Sequence, residues 1–200
     1  MVVKSRREEY SEATRAALVA SARTRFVEQG YADTSIEDIV TGARVTRGAF
    51  YHHFDSKQDA FEVVFGEVHA TMLASIGKRM TGIDDVWDSA IAGIEGFLDI
   101  CLDRDYQRIA LQEAPIALGW QRYRELDEHH AFGIVRGMVQ KLMDEGLVDE
   151  GPVEICARIL FATFAEAAHA IASADDMAAA RDHASRFLGK ILNGLRTVRN

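Results

Sequence analysis

TSIEDIVTGARVTRGAFYHHFDSK, residues 34–57, is the stretch whose reading decides the fold. Asp33, Thr34 or Ser35, followed by Glu37 or Asp38, has the form of a helix N-cap. A short polar side chain accepts a free amide, and an acidic residue favours the positive end of the helix dipole. Ile36, Ile39 and Val40 then share an inward face, and the helix ends near Gly42 and Ala43. Val45 fills a turn, and Thr46 caps a second helix whose apolar contacts are Ala49, Phe50 and Phe54. Two short helices joined by a tight turn on a small apolar core form a helix-turn-helix candidate. Its outward residues are Thr46, Arg47, Gly48, Tyr51 and His52. A DNA major groove admits one helix and rewards small or hydrogen-bonding residues at the entering end. Gly48 and Ala49 let the backbone approach, Arg47 can pair with guanine or phosphate, and Tyr51 and His52 follow one turn on. Thr34 or Ser35 with the free amides of the first helix, and Lys57 in the first turn of the next, are expected to hold phosphate.

Working outward, residues 1–8 read either as a basic arm in which Lys4, Arg6 and Arg7 can touch the DNA backbone or the minor groove, or as a solvated tail. A first helix is expected from about Glu9 to Gln29, with Leu18, Val19, Ala22 and Phe26 at helical spacing and Gly30 as its stop. After the helix-turn-helix, Ala60, Phe61, Val64, Phe65, Val68, Met72 and Ile76 mark a long fourth helix, broken at Gly82. Further helices are expected from Asp84 or Asp85, from Tyr106, from Trp120 to Glu145, from Pro152 to Ser173, and from Asp176 to Val198. Pro115 should end or kink the one begun at Tyr106, because it lacks the amide donor and clashes with the preceding turn. The last two helices look like half of a four-helix dimer interface carried by Phe161, Phe164, Ala168, Phe187, Leu188, Ile191 and Leu195; the alternative is an ordinary intramolecular hairpin. The fold class is therefore all-α, with about nine helices. It divides into a helix-turn-helix DNA-binding domain at 1–55 and a larger helical ligand-binding and dimerisation domain at 56–200.

Composition agrees. Apolar residues make up 48% of the chain, enough for a packed core. The net charge of -8 is uneven. The first 60 residues carry nine basic and nine acidic side chains, leaving 14 of the 23 basic and 22 of the 31 acidic residues to the rest. A neutral head with a basic tip can meet phosphate while an acidic body discourages contact elsewhere. No apolar h-region starts the chain, and no apolar run is expected to span a bilayer, so a cytoplasmic protein without membrane contact is expected. Cys101 and Cys156 have no metal or disulfide spacing. His52 and His53, like His129 and His130, are adjacent and point apart on a helix, and His130 and His169 lack ligand spacing, so no metal or cofactor is expected.

Phe26, Gly30, Tyr31, Thr34, Ser35, Ile36, Ile39, Ala43, Val45, Thr46, Gly48, Phe50, Tyr51, His53, Phe54 and Lys57 together resemble the TetR family of transcriptional regulators. The motif covers about a quarter of the chain, and the helical remainder fits the family's usual length. The resemblance implies three DNA-binding helices, a fourth that transmits, a variable body that takes a small molecule, and two last helices that dimerise. By motif position it assigns DNA contact to Thr34, Ser35, Thr46, Arg47, Gly48, Tyr51, His52 and Lys57. Arg44 stands where the family usually has glycine, and Val40 where alanine is common; Arg44 can add a phosphate contact. The segment from Glu113 to Trp120 looks like one of the family's C-terminal types.

The expected function is a homodimeric repressor released from a palindromic operator in double-stranded DNA by an unknown small-molecule effector. Trp87, Phe97, Cys101, Gln112, Trp120, Tyr123, Phe161, Phe164 and His169 are candidates to line its cavity. The competing readings are an activator of the same fold, and a helical small-molecule-binding protein or enzyme with a vestigial helix-turn-helix. No serine, cysteine or carboxylate pair has neighbours that suggest catalysis, so no enzyme is expected.

Overall fold

The computed structural model describes residues 5–197. Lys4, expected in the basic arm, and Val198, expected at the end of the last helix, lie outside them. The elements are α1 (Arg6–Asp33), α2 (Ile36–Ala43), α3 (Arg47–His53), α4 (Lys57–Met80), α5 (Val86–Ile100), α6 (Ala114–Leu118), α7 (Trp120–Asp127), α8 (Gly133–Asp144), α9 (Val153–Ala172) and α10 (Met177–Leu195). A π-helical segment, Tyr106–Glu113, runs straight into α6, and another, Glu128–Phe132, joins α7 to α8. Counting each continuous stretch once, the described residues form nine helical rods. Their only β-type pairing is an isolated bridge between Val148 and Arg196. The chain is all-α, as expected.

The chain packs as two compact units, residues 1–68 with 108–123, and residues 69–107 with 124–200. In the first, Leu18, Val19, Ala22 and Phe26 of α1 are buried, as are Ile39 and Val40 of α2, Phe50 and Phe54, and Phe61, Val64 and Phe65 of α4. Phe26 lies 5.1 Å from Phe61 between ring centroids, and Tyr31 lies 5.3 Å from the same ring. Gly42 is required where α2 crosses α1: a Cβ there would collide with the Ser21 hydroxyl, which itself donates to Ile39 O at 2.7 Å. In the second unit, Trp87, Ala90, Ile94 and Leu98 of α5 are buried, with Val139 and Leu142 of α8, Phe164, Ala168 and Ile171 of α9, and Leu188 and Leu192 of α10. Arg181 of α10 pairs with both Glu95 and Asp99 of α5.

Three expectations are corrected. Arg6 and Arg7 are not arm residues but the first turn of α1, because Ser5 and Glu8 form a reciprocal capping box that starts the helix early. Pro115 does not end its helix, which passes from π-helical to α-helical geometry between Glu113 and Ala114, runs on to Leu118 and stops at Gly119 with φ 75°. The preceding backbone is π-helical, which shifts the hydrogen-bond register ahead of the proline, and Pro115 falls in the first turn of α6, where an absent amide costs little. Finally, α9 is long and apolar enough to cross a membrane by length and composition. In the fold its apolarity is divided. Ala157, Phe164, Ala168 and Ile171 are buried, while Ile155 and Ile159 stay 57% and 63% exposed.

Candidate nucleic-acid interface

Ser35 begins α2. Its hydroxyl accepts the Asp38 amide at 3.1 Å, while the Asp38 carboxylate accepts the Ser35 hydroxyl at 2.6 Å and amide at 2.8 Å. Those bonds, the hydroxyl's foremost, hold the Asp38 carboxyl below the usual carboxylate range. The helix ends at Arg44, which sits in the left-handed region at φ 57°, ψ 41° and donates its amide to Thr41 O at 3.2 Å. Val45 then donates to Val40 O at 3.0 Å, closing the turn. A side chain in this region costs about 1 kcal/mol or more, partly offset by the unfolded-state entropy a glycine would add. Arg44→Gly is therefore expected to raise unfolding free energy by about 0.5 kcal/mol. A urea midpoint that moves down would contradict this.

Thr46 starts α3 by accepting the Ala49 amide at 3.2 Å. Phe50 and Phe54 are buried, so the short helix is pinned along one side. Thr46, Arg47, Gly48, Tyr51 and His52 are exposed together on the other, with Ala49 half-buried. Arg47 Nη2 donates to Tyr51 Oη at 3.4 Å, and its guanidinium lies 5.7 Å from that ring's centroid. The hydrogen bond to Tyr51 raises the Arg47 pKa further, so the tip of α3 carries a permanent positive charge. His53 turns partly inward, and burial pushes its pKa down, with His52 and Arg15 adding to the effect. Nothing on the α3 tip fills the space in front of Gly48, where a Cβ would meet only Thr46 Oγ1 at 3.8 Å.

Two side chains expected on phosphate take internal partners. Thr34 is 1% exposed, and its hydroxyl donates to Gly30 O at 2.6 Å. Lys57 Nζ donates to Tyr31 O and Thr34 O, both at 2.7 Å, and lies 4.2 Å from the Tyr31 ring centroid. The turn between α1 and α2 leaves carbonyls that no helix satisfies, and these two residues satisfy them.

The candidate cavity residues divide between the units. Gln112, Trp120 and Tyr123 belong to the first, where Gln112 and Trp120 are exposed and Tyr123 is buried. In the second, Phe97 and Phe164 pair at 6.0 Å, and Cys101 Sγ donates to Phe97 O at 3.3 Å. Burial pushes the Cys101 thiol up to about 12. Trp87 instead lies under the Arg196 guanidinium at 4.8 Å, and Phe161 meets Phe132 at 5.7 Å; His169 is half-buried. Of the expected dimer residues, Phe164, Ala168 and Leu188 are buried within the chain, Phe161 is half-buried, and Phe187, Ile191 and Leu195 are exposed.

Sequence reasoning missed His69, which is 1% exposed on α4. Its Nε2 lies 3.1 Å from Asp127 Oδ1, and its ring stacks on His130 at 5.4 Å. Burial, then His69 and His129, push the His130 pKa down, with Asp127 opposing. The one signal was a histidine inside an otherwise apolar stripe. Glu113, named only as the start of the segment to Trp120, is also buried.

Comparison with known proteins agrees with this geometry. Residues 18–64 match the family described as bacterial regulatory proteins, tetR family, and residues 87–195 match the tetracyclin repressor-like C-terminal domain. The chain is 32% identical to the Transposon Tn10 TetC protein of Escherichia coli, over 71% of this chain and 72% of that one. It is 30% identical to the HTH-type transcriptional regulator TtgR of Pseudomonas putida, over 52% of this chain and 50% of that one. The crystal structure of a TetR-family transcriptional regulator from Pectobacterium atrosepticum superimposes with a TM-score of 0.83 at 31% identity, covering 98% of this chain and 100% of that one. With a capped helix-turn-helix at one end and family matches along both parts of its length, the chain belongs to the TetR family of transcriptional regulators and is a DNA-binding regulator.

Proposed function

We propose that the chain acts in the cytoplasm as a homodimeric repressor, that α3 reads a palindromic operator, and that a small-molecule effector releases it. The observation that carries this reading is the exposed row Arg47, Gly48, Tyr51 and His52 on a helix whose other side is fixed by Phe50 and Phe54. Ser35 and Arg44 flank it as phosphate contacts, and Thr46 and Ala49 sit at its entering end. Thr34 and Lys57 act from behind by holding the turn before α2. A dimer would present two α3 helices to half-sites about 34 Å apart, or a multiple of that. The effector acts only if it binds the DNA-incompetent state more tightly than the competent one.

The test is a gel shift with the DNA flanking the protein's own coding sequence. Retention that survives unrelated competitor DNA and weakens steeply with salt is expected. Absence of sequence-dependent retention would remove the reading. Arg47→Ala is expected to weaken binding by about tenfold or more, with unchanged helix content, because each good base or phosphate contact contributes on the order of 1–3 kcal/mol. Unchanged affinity would take Arg47 out of the reading set.

A further inference from the structure

Tyr31 is held from two directions. Its amide donates to Glu113 Oε2 at 2.8 Å, across 82 residues of sequence. Its carbonyl accepts Lys57 Nζ at 2.7 Å, and the same ammonium reaches Thr34 O. Its ring packs against Phe26 and Phe61. The junction that sets α2 against α1 is thus fastened by α4 on one side and by the π-helical segment Tyr106–Glu113 on the other.

Glu113 suits this role. It is 6% exposed, and Arg108 Nη2 lies 3.1 Å from its Oε1, which leaves Oε2 for the Tyr31 amide. A buried carboxylate persists only when paired, and removing it takes the acceptor from a part-buried amide. Gly30 has no side chain to obstruct the contact: a Cβ there would lie 2.8 Å from Glu113 Oε1 and 2.7 Å from Arg108 Nη2. Residues 108–123 pack in the same compact unit as α1, α2 and α3. That segment is fastened a second time, where Arg122 Nη2 and Nε meet the Glu62 carboxylate at 2.8 and 3.2 Å. Short π-helical stretches of this kind recur at functional sites, where a small change of register re-aims the backbone that follows.

We propose that Glu113 is a positioning residue for operator binding. It touches no DNA; it fixes the α1–α2 junction so that α3 is presented at its reading angle, and any shift of segment 108–123 is felt there. The proposal rests on the operator reading above.

Two full-length variants test it on the DNA fragment that wild type retains. Glu113→Met matches the side chain's length and suits a buried setting, but has no oxygen for Tyr31. Glu113→Gln keeps an acceptor oxygen for the Tyr31 amide, while it loses the charge and turns an amide NH2 toward Arg108, which is partly exposed and can swing aside. Met is expected to weaken operator binding by about tenfold or more while Gln stays within about threefold of wild type, since removing the acceptor of the Tyr31 amide costs more than neutralising it. Hydrogen exchange at the Tyr31 amide should quicken with Met and stay slow with Gln. A residue that served stability alone would lower the melting temperature and leave affinity unchanged well below it. Met variant affinity indistinguishable from wild type, or equal losses for Met and Gln, would overturn the proposal. So would an unprotected Tyr31 amide in the wild type, a measurement that needs no variant to fold. Wild-type retention is the control: without it the operator reading itself fails, whereas retention with an unaltered Met variant removes only Glu113.

Discussion

Gly30→Ala is expected to lower the stability of the DNA-reading head by about 4 kcal/mol, combining a backbone conformation that only glycine adopts readily with a forced overlap in a packed site. Gly30 has φ 85° and ψ 169°, a combination in which any Cβ strains the backbone by about 1–3 kcal/mol. The space is also taken. Arg108 can swing its guanidinium aside, being partly exposed, but the Glu113 carboxyl carbon would stand 3.3 Å from the new methyl group and is buried among its partners. Moving Glu113 breaks its bond to Tyr31, so strain and lost hydrogen bonding arrive together. Thermal unfolding followed by circular dichroism should show a fall of about 10 °C for a chain of this size. A melt within about 2 °C of wild type would mean that the junction relaxes freely, and that Gly30 is there for its turn signal alone.

The break at Gly30, where α1 leaves helical geometry before resuming to Asp33, is legible in the sequence, and the contrast with Lys57 shows why. Gly30, the Ser35–Asp38 cap, the Thr46 cap and the apolar stripe of α1 carry local signals: each is read from residues within about four positions of one another. The reading of α3's outward row followed from the same spacing, once Phe50 and Phe54 were assigned inward. Thr34 and Lys57 look equally local, and their places at helix starts point to phosphate contact; Thr34 bonds instead to Gly30 O, four residues back, with its side chain buried. The partners of Lys57 are carbonyls of the α1–α2 turn, 23 and 26 residues before it, which no window of sequence brings together. Glu113 is the extreme case, meeting Tyr31 across 82 residues. His69 was hidden for another reason. A polar residue in an apolar stripe reads as a tolerated exception until Asp127 and His130 are seen against it. The π-helical segments leave no periodicity of their own, since one widened turn only shifts the phase of the helical pattern that continues after it.

The expected dimer surface is a pair of helices in the sequence and gains a candidate face only in the structure, and the distinction decides which substitution tests the proposed dimer. Phe164, Ala168 and Leu188 are occupied inside the chain, so a charge there would damage the fold and say nothing of assembly. Phe187, Ile191 and Leu195 recur every four residues along α10 and are 66%, 37% and 51% exposed, and Ile155 and Ile159 repeat the spacing on α9. Phe187→Glu is therefore expected to yield a monomer with unchanged helix content. The side chain is solvated in a single chain, whereas in a two-fold dimer the substitution places two carboxylates in an apolar contact at a cost of several kcal/mol. Operator binding should fall by about a hundredfold or more, because a second half-site held by the same dimer raises apparent affinity by on the order of 10² to 10⁴. Light scattering behind size exclusion reads the assembly, and a gel shift reads the affinity. A variant that still runs as a dimer would place the interface elsewhere than on the exposed row of α10. A monomer that held its operator as tightly as wild type would show that one head suffices, and the palindromic reading would then be lost even though the interface was correctly identified.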